Sequence, residues 1–221
     1  MRRLPKTNSR LPRSVPWGPV ARLLGFATLL VAFAAPAAAQ KSNTRTHDGF
    51  YLRAGLGGGG LVDAIDGPFW PDVSVSGGSV AFELAVGGTI APGLVLGGMF
   101  AADWVQNPTI EVAGFSAEAD TTVGVLGMLG PFIDWYTDPR AGFHLQACIA
   151  AARITISDDS GDRSDHQPLG GAILLGVGYD WFVGGEVALG GLLRVTGASL
   201  ADDGITHNVG AISLLFTFTY H

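Results

Sequence analysis

Acidic side chains are concentrated in one short polar segment of the chain. Between Ser157 and Asp165, four carboxylates lie within eight residues, at Asp158, Asp159, Asp162 and Asp165. Closely spaced oxygen ligands can bind Ca²⁺, which prefers six to eight of them. The spacing departs from the EF-hand pattern, because serine stands where aspartate or asparagine is expected. The segment therefore reads as a solvated surface loop, with weak cation binding as the alternative, and we predict no resident metal and no cofactor.

Five histidines could supply a catalytic base: His47, His144, His166, His207 and His221. A serine hydrolase needs a nucleophile that is hydrogen-bonded to a histidine, and an acid that orients this histidine. His207 and Ser213 share one face of a predicted strand, but they are six residues apart and beyond hydrogen-bond reach. His144 falls with Gln146 and Asp134 on the face of the predicted strands that points to the interior of the fold. No nucleophile–base pair is visible, so the sequence predicts no catalytic residues and a protein that is not an enzyme.

Opposite charges also stand isolated within apolar segments, at Arg53, Glu83, Asp103 and Arg194. Buried charges are stable only when they are paired, because removal of one partner leaves the other uncompensated. If the segments around these four residues are buried, the four side chains must therefore meet. Whether they can meet depends on the elements that carry them.

The first 39 residues have the organisation of a secretory signal peptide. Residues 1–22 contain six basic and no acidic residues, an apolar stretch follows over 23–35, and small residues lead to Ala39. A basic region, an apolar region and a small-residue cleavage site direct export, and an uncleaved membrane anchor is the alternative. The expected divisions are a signal peptide over 1–39, a short periplasmic segment over 40–48 and a folded domain over 49–221.

The composition of the chain favours a membrane environment. Only 14% of the 221 residues are charged, against about 25% in soluble domains, whereas 48% are hydrophobic and 33 are glycine. A single cysteine excludes an intramolecular disulfide scaffold. Cleavage after residue 39 would leave 182 residues with 7 basic and 19 acidic side chains, a net charge of −12. We do not expect so acidic a chain to bind nucleic acid.

Apolar residues alternate with small or polar residues along the mature chain. At the C-terminus, Ile212, Leu214, Phe216, Phe218 and Tyr220 are separated by single residues that are mostly small or polar. A period of two is typical of β-strands, because their successive side chains point to opposite faces. The pattern predicts eight strands, over 49–60, 79–90, 94–105, 121–136, 143–154, 171–183, 186–200 and 207–220.

The predicted strands are joined by connections of alternating length. Short turns at 91–93, 137–142 and 184–185 alternate with longer segments at 61–78, 106–120, 155–170 and 201–206. The longer segments hold 12 of the 19 acidic residues. This alternation is typical of transmembrane β-barrels, with short periplasmic turns and long outer loops. The predicted fold is all-β, an eight-stranded antiparallel up-and-down transmembrane β-barrel.

One face of the predicted strands is apolar and the other carries the charges. A soluble barrel is the first alternative, but its exterior would then be one large exposed apolar patch. A helix spanning the uncharged residues 84–102 is the second, but this stretch contains five glycines and a proline, which disfavour helices. Aromatic residues gather at the predicted periplasmic strand ends, as at a membrane interface: Phe50, Trp135, Tyr136, Phe143, Trp181, Phe182, Phe218 and Tyr220.

In such a barrel the four isolated charges point into the lumen. The lumen of an eight-stranded barrel is just wide enough for its own side chains to fill. Arg53 and Glu83 fall on neighbouring strands and are the predicted direct pair, and Arg194 could join them across the narrow lumen. Asp103 belongs to the same set of interior charges. The prediction is a plugged lumen, and a narrow gated channel lined by the same groups is the alternative.

Three segments of the mature chain carry recognisable motifs. They are the opening 48–57 (DGFYLRAGLG), the internal 176–181 (GVGYDW) and the ending 216–221 (FTFTYH). Together they resemble small Gram-negative outer-membrane barrels of the eight-stranded OmpA/OmpX-like class. Phe216, Phe218 and Tyr220 resemble the C-terminal signal for barrel assembly, although His221 follows the last aromatic residue. The resemblance implies outer-membrane lipid as the surroundings and the barrel-assembly machinery as a partner during biogenesis.

These observations predict a non-enzymatic outer-membrane protein with an envelope-structural or surface-interaction role. Its long acidic outer loops would make the interaction, with an extracellular ligand that the sequence does not identify. We expect the protein to be a monomer. Two alternatives stay open: a pore or transporter for small solutes, and an enzyme that modifies outer-membrane lipid.

Overall fold

The computed structural model describes residues 49–67, 73–118, 123–157 and 167–221. These residues form ten strands: β1 Phe50–Asp66, β2 Val73–Ala91, β3 Leu94–Gln106, β4 Thr109–Val112, β5 Phe115–Glu118, β6 Val123–Tyr136, β7 Phe143–Ser157, β8 Leu169–Phe182, β9 Val187–Asp202 and β10 Ile205–Tyr220. Three predicted features lie outside the described residues: the signal peptide (1–39), the periplasmic segment (40–48) and the acidic segment with Asp158, Asp159, Asp162 and Asp165. Among the described residues, no helix has the length and apolarity needed to cross a membrane.

Eight of the ten strands close into an antiparallel barrel. The order around the barrel is β1, β2, β3, β6, β7, β8, β9 and β10, and β10 pairs again with β1. Each of these strands pairs with a neighbour on both sides, so the closed wall has no open edge. The predicted eight-stranded up-and-down barrel is confirmed.

The first two strands extend farther than the sequence pattern indicates. β1 and β2 stay paired up to Ile65 and Val73, so the predicted long loop over 61–78 is wrong and the connection is only 67–72. The prediction assigns Asp63 to a loop because charges belong outside the hydrocarbon layer. In the structure the Asp63 side chain is instead buried, on the face of β1 that points into the lumen.

The other outer connections are also more ordered than predicted. Segment 106–120 contains the β4–β5 hairpin, and β4 pairs with Val73–Ser76 of β2 beyond the end of β3. Segment 201–206 is reduced to a tight turn at Asp203 and Gly204, both with positive φ, a conformation that glycine adopts without strain. The outer end of the barrel is therefore built largely of strand, and its described loops are short.

The strands separate a polar interior from an apolar exterior. Along β8 and β10, buried and exposed residues alternate almost without interruption. Most of the exposed positions are large and apolar, as for Ile173 on β8 (56% exposed) and Leu214 on β10 (64% exposed). A water-soluble protein rarely exposes so large an apolar surface, whereas a transmembrane barrel presents an apolar band to lipid.

Aromatic side chains surround the end of the barrel that holds the short turns. Trp135, Phe143, Trp181 and Phe218 are exposed there, as expected at a membrane interface. Tyr136 does not join them, and its predicted place in this belt is wrong. Its side chain is fully buried in the lumen, where the hydroxyl donates to Asp180 Oδ2 at 2.8 Å, because a paired phenol can fill the interior as well as the interface.

Candidate functional site: the charged lumen

Arg53 lies at the centre of a buried hydrogen-bond network in the lumen. Its guanidinium donates to Glu83 Oε1 through Nε (3.2 Å) and Nη2 (2.9 Å). It also donates to Asp134 Oδ2 through Nη1, at 2.7 Å. All three side chains are fully buried. Arg53 and Glu83 lie on the paired strands β1 and β2, whereas Asp134 lies on β6, so the contacts of Arg53 cross the lumen.

Asp134 accepts hydrogen bonds at both of its carboxylate oxygens. Besides Arg53, the Tyr51 hydroxyl donates to Oδ2 at 2.9 Å. His144 Nδ1 lies 2.8 Å from Oδ1, and since a carboxylate only accepts, the imidazole proton must lie on Nδ1. These contacts join β1, β6 and β7 near the periplasmic end of the lumen.

Arg194 forms the second half of the network. Its Nη2 donates to Asp103 Oδ1 at 2.8 Å, and its Nη1 lies 3.5 Å from Glu83 Oε2. The Ser213 hydroxyl also donates to Asp103 Oδ1, at 3.2 Å. Glu83 therefore lies between the two arginines, and Gln146 Nε2 donates to its Oε1 at 3.0 Å.

Asp180 accepts hydrogen bonds from hydroxyl groups in the described network, and no cationic side chain donates to it there. Tyr136, Thr217 and Thr219 donate their hydroxyl hydrogens to its two oxygens at 2.8–3.3 Å. The carboxylate occupies the space of an absent side chain, because a Cβ added to Gly190 would lie 2.0 Å from Asp180 Oδ1. The small residues of the inward face thus make room for the polar groups of the lumen.

The structure brings together the four charges that the sequence places in the lumen. Arg53, Glu83, Asp103 and Arg194 all belong to one network, and each is fully buried. The alternation in the sequence places Asp134, His144 and Gln146 on the interior but does not indicate their partners. Tyr51 was not predicted as a donor, although it precedes Arg53 by two residues and so shares its face of β1.

The residues of the predicted assembly signal lie on the last strand. Phe216 and Phe218 face outward and are exposed. The Tyr220 hydroxyl donates to Glu186 Oε2 at 2.6 Å, in the turn between β8 and β9. Recognition of these three residues by the assembly machinery stays a prediction.

A separate polar pair lies nearer the outer end of the lumen. His207 Nδ1 is 2.7 Å from Asp63 Oδ2, and both residues are more than nine-tenths buried. Ser213 donates to Asp103 and not to His207. Ser213 and His207, which share a face of β10, therefore contact different carboxylates, and they do not form a nucleophile–base pair.

Within the described part of the chain, no group of three or more His, Cys, Asp or Glu side chains is arranged to hold a metal ion. Cys148 is buried on β7 and has a free thiol. The polar side chains of the described lumen form ion pairs and hydrogen bonds with one another, and these contacts fill the interior and hold the strands together.

The solved structures that this chain resembles include three bacterial proteins. Neisserial surface protein A has 18% identity and a TM-score of 0.46, covering 77% of this chain and 96% of its own. The outer membrane protein OprG from Pseudomonas aeruginosa has 10% identity and a TM-score of 0.47, and the match covers 80% of this chain and 99% of OprG. The outer membrane protease OmpT from Escherichia coli has 10% identity and a TM-score of 0.40, and the match covers 81% of this chain and 99% of OmpT. No protein-family model matches the chain, and no curated protein sequence matches it.

These TM-scores are below 0.5, so the assignment of fold depends on the chain's own strand pairing and packing. The wall is closed, its exterior is apolar and its charges are buried inside. The protein is a β-barrel of the outer-membrane type. Within this barrel the network around Arg53 and Arg194 spans the interior, and its contacts join strands from opposite sides of the wall.

Proposed function

We propose that the protein is a non-enzymatic barrel of the outer membrane, whose sealed lumen stabilises a rigid wall and whose outer rim meets the surroundings. The observation that carries this proposal is the ion network across the lumen. Arg53, Glu83, Asp134, Asp103 and Arg194 are each fully buried. Side chains without solvent contact cannot line a water-filled passage, which supports a plug in place of a pore.

The outer rim supports a role in surface interaction. Five acidic residues occupy the described strand ends and turns there: Asp66, Glu111, Glu118, Asp202 and Asp203. Arg153, which is exposed on β7 opposite Leu169, is a basic residue at the same end, so the described rim carries an excess of negative charge. Such an excess raises the local concentration of oppositely charged partners. The rim therefore favours cationic molecules or cationic surfaces as the partners of the barrel.

Conductance in planar bilayers tests the sealed lumen. We expect the purified protein to show no steady single-channel conductance, because the ion pairs of Arg53 and Arg194 with buried carboxylates leave no continuous water column through the lumen. Insertion is checked in the same sample by recovery of folded protein from the bilayer lipid. A reproducible open channel of uniform conductance would overturn the plug and favour the small-solute pore.

Cells that lack the protein test the envelope role. We expect them to be more sensitive to detergent than parent cells, and we expect the intact gene to restore resistance. The mass spectrum of outer-membrane lipid should be the same in both strains, because the described lumen holds no nucleophile–base pair. A lipid species that disappears with the gene would instead support a lipid-modifying enzyme.

A further inference from the structure

The outer third of the lumen contains a cavity that the ion network does not fill. Its volume is about 210 Å³, and its wall is mainly aliphatic, with Leu61, Val105, Leu126, Ile154 and Val209. Ile156, which lines the same cavity one residue before the end of β7, is 39% exposed. The cavity therefore reaches toward the mouth of the barrel, whereas Asp103 and its partner Arg194 close it from below.

Two carboxylate oxygens of the cavity lining lack a hydrogen-bond donor. Asp63 Oδ1 and Asp103 Oδ2 are buried and have no partner among the described residues. Their second oxygens are occupied, by His207 and by Arg194 with Ser213. A buried acceptor without a donor costs free energy, and ionised carboxylates only accept. The cavity thus presents acceptors to whatever occupies it.

The charge of the cavity selects among possible occupants. Asp63 and Asp103 are its acidic groups, and the acidic rim of Asp66, Glu111 and Asp203 lies at the same end of the barrel. An anionic ligand would bring a third carboxylate or phosphate beside buried acids, which is unfavourable. Arg194 already compensates the charge of Asp103, whereas the partner of Asp63 is His207, which also lines the cavity. A cation that donates a hydrogen bond therefore fits best at Asp63 Oδ1.

We propose that this cavity binds a small apolar molecule that carries a protonated amine. The apolar body packs against the aliphatic wall, and the ammonium group donates to Asp63 Oδ1. A cavity of about 150 Å³ lined by apolar side chains holds benzene, so this one accommodates a ring with a short amine tail. Water alone would satisfy the carboxylates, but it would leave the aliphatic wall wetted. The proposal is independent of whether the lumen conducts.

Titration calorimetry of the barrel in lipid nanodiscs tests the site with 2-phenylethylamine as the probe. We expect saturable binding of one probe per barrel, and binding of 3-phenylpropanoate at least about tenfold weaker. Asp63→Asn removes the charge that pairs with the ammonium group. A hydrogen bond to a charged group contributes about 10- to 100-fold in affinity, and we expect a loss of this size.

Val209→Phe tests the apolar wall separately, because it fills the cavity without changing its charge. We expect it to abolish binding of the amine. Val195→Phe is the matched control, since Val195 lies on the neighbouring strand β9 but faces outward, and it should bind as the parent does. Folding of each variant is checked by its mobility on unheated gels.

Three results would overturn the proposal. They are equal binding of amine and carboxylate, unchanged amine binding by folded Val209→Phe, and no saturable binding by the parent up to millimolar probe. If Val209→Phe bound the amine as well as the parent does, the probe would be partitioning into lipid. If Asp63→Asn fails to fold, the comparison of Val209→Phe with Val195→Phe still decides whether the amine binds in the cavity.

Discussion

Glu83→Ala should lower the free energy of unfolding of the barrel by about 3–5 kcal/mol, the usual cost of breaking a buried ion pair. Glu83 accepts from Arg53 and Gln146 at Oε1, and its Oε2 lies 3.5 Å from Arg194. Its removal leaves both guanidinium groups with one counterion fewer. The measurement is equilibrium unfolding by denaturant in lipid vesicles, followed by tryptophan fluorescence.

Adding Arg53→Ala to Glu83→Ala should recover part of this loss. The double variant no longer buries an undercompensated guanidinium at that site, although Asp134 then keeps Tyr51 and His144 as its donors among the described residues. We therefore expect a coupling energy of about 0.5–3 kcal/mol in the double-mutant cycle, the range for residues in direct contact. Strictly additive effects would contradict the cross-lumen network.

Glu111→Ala is the matched control for the loss of a carboxylate. Glu111 is exposed on β4, where removal of a surface charge should change stability by no more than about 0.5 kcal/mol. A large effect there would mean that loss of acidic charge in general, and not the network, governs stability.

Leu214→Arg should destabilise the barrel by about 2–4 kcal/mol, the cost of an arginine facing lipid near the bilayer midplane. Leu214 lies in the middle of β10, is 64% exposed and faces outward, away from the lumen. The same unfolding measurement in vesicles gives the effect. Leu84, Leu96 and Leu189 also face outward on their strands and should respond in the same direction.

Leu169→Arg provides the control at a different depth. Leu169 is also an exposed leucine, but it is the first residue of β8, at the outer end of the barrel. An arginine at the interface costs about 0–1 kcal/mol. If Leu214→Arg and Leu169→Arg were equally tolerated, the outward face would not be the lipid face.

The sequence by itself determines the fold class and the two faces of the wall. A period of two cannot be shifted by one residue without turning every apolar side chain to the opposite face. For this reason the alternation along the eight apolar segments, as around Leu214 and Arg53, was sufficient to predict eight strands, their apolar exterior and a charged interior. The same period placed Asp134, His144 and Gln146 inside, because face assignment depends only on the parity of a residue along its strand.

Only the tertiary structure decides which interior residues meet and where the strands end. Arg53 reaches Asp134 on β6 because barrel closure brings β1 and β6 to the same lumen, and this distance is not encoded in any local pattern. The outer end of β1 was missed because Asp63 is acidic. In the structure its buried carboxylate is paired with His207 of β10, a strand that meets β1 only when the barrel closes. The cavity beside this pair likewise arises from closure, since its walls come from strands distant in sequence.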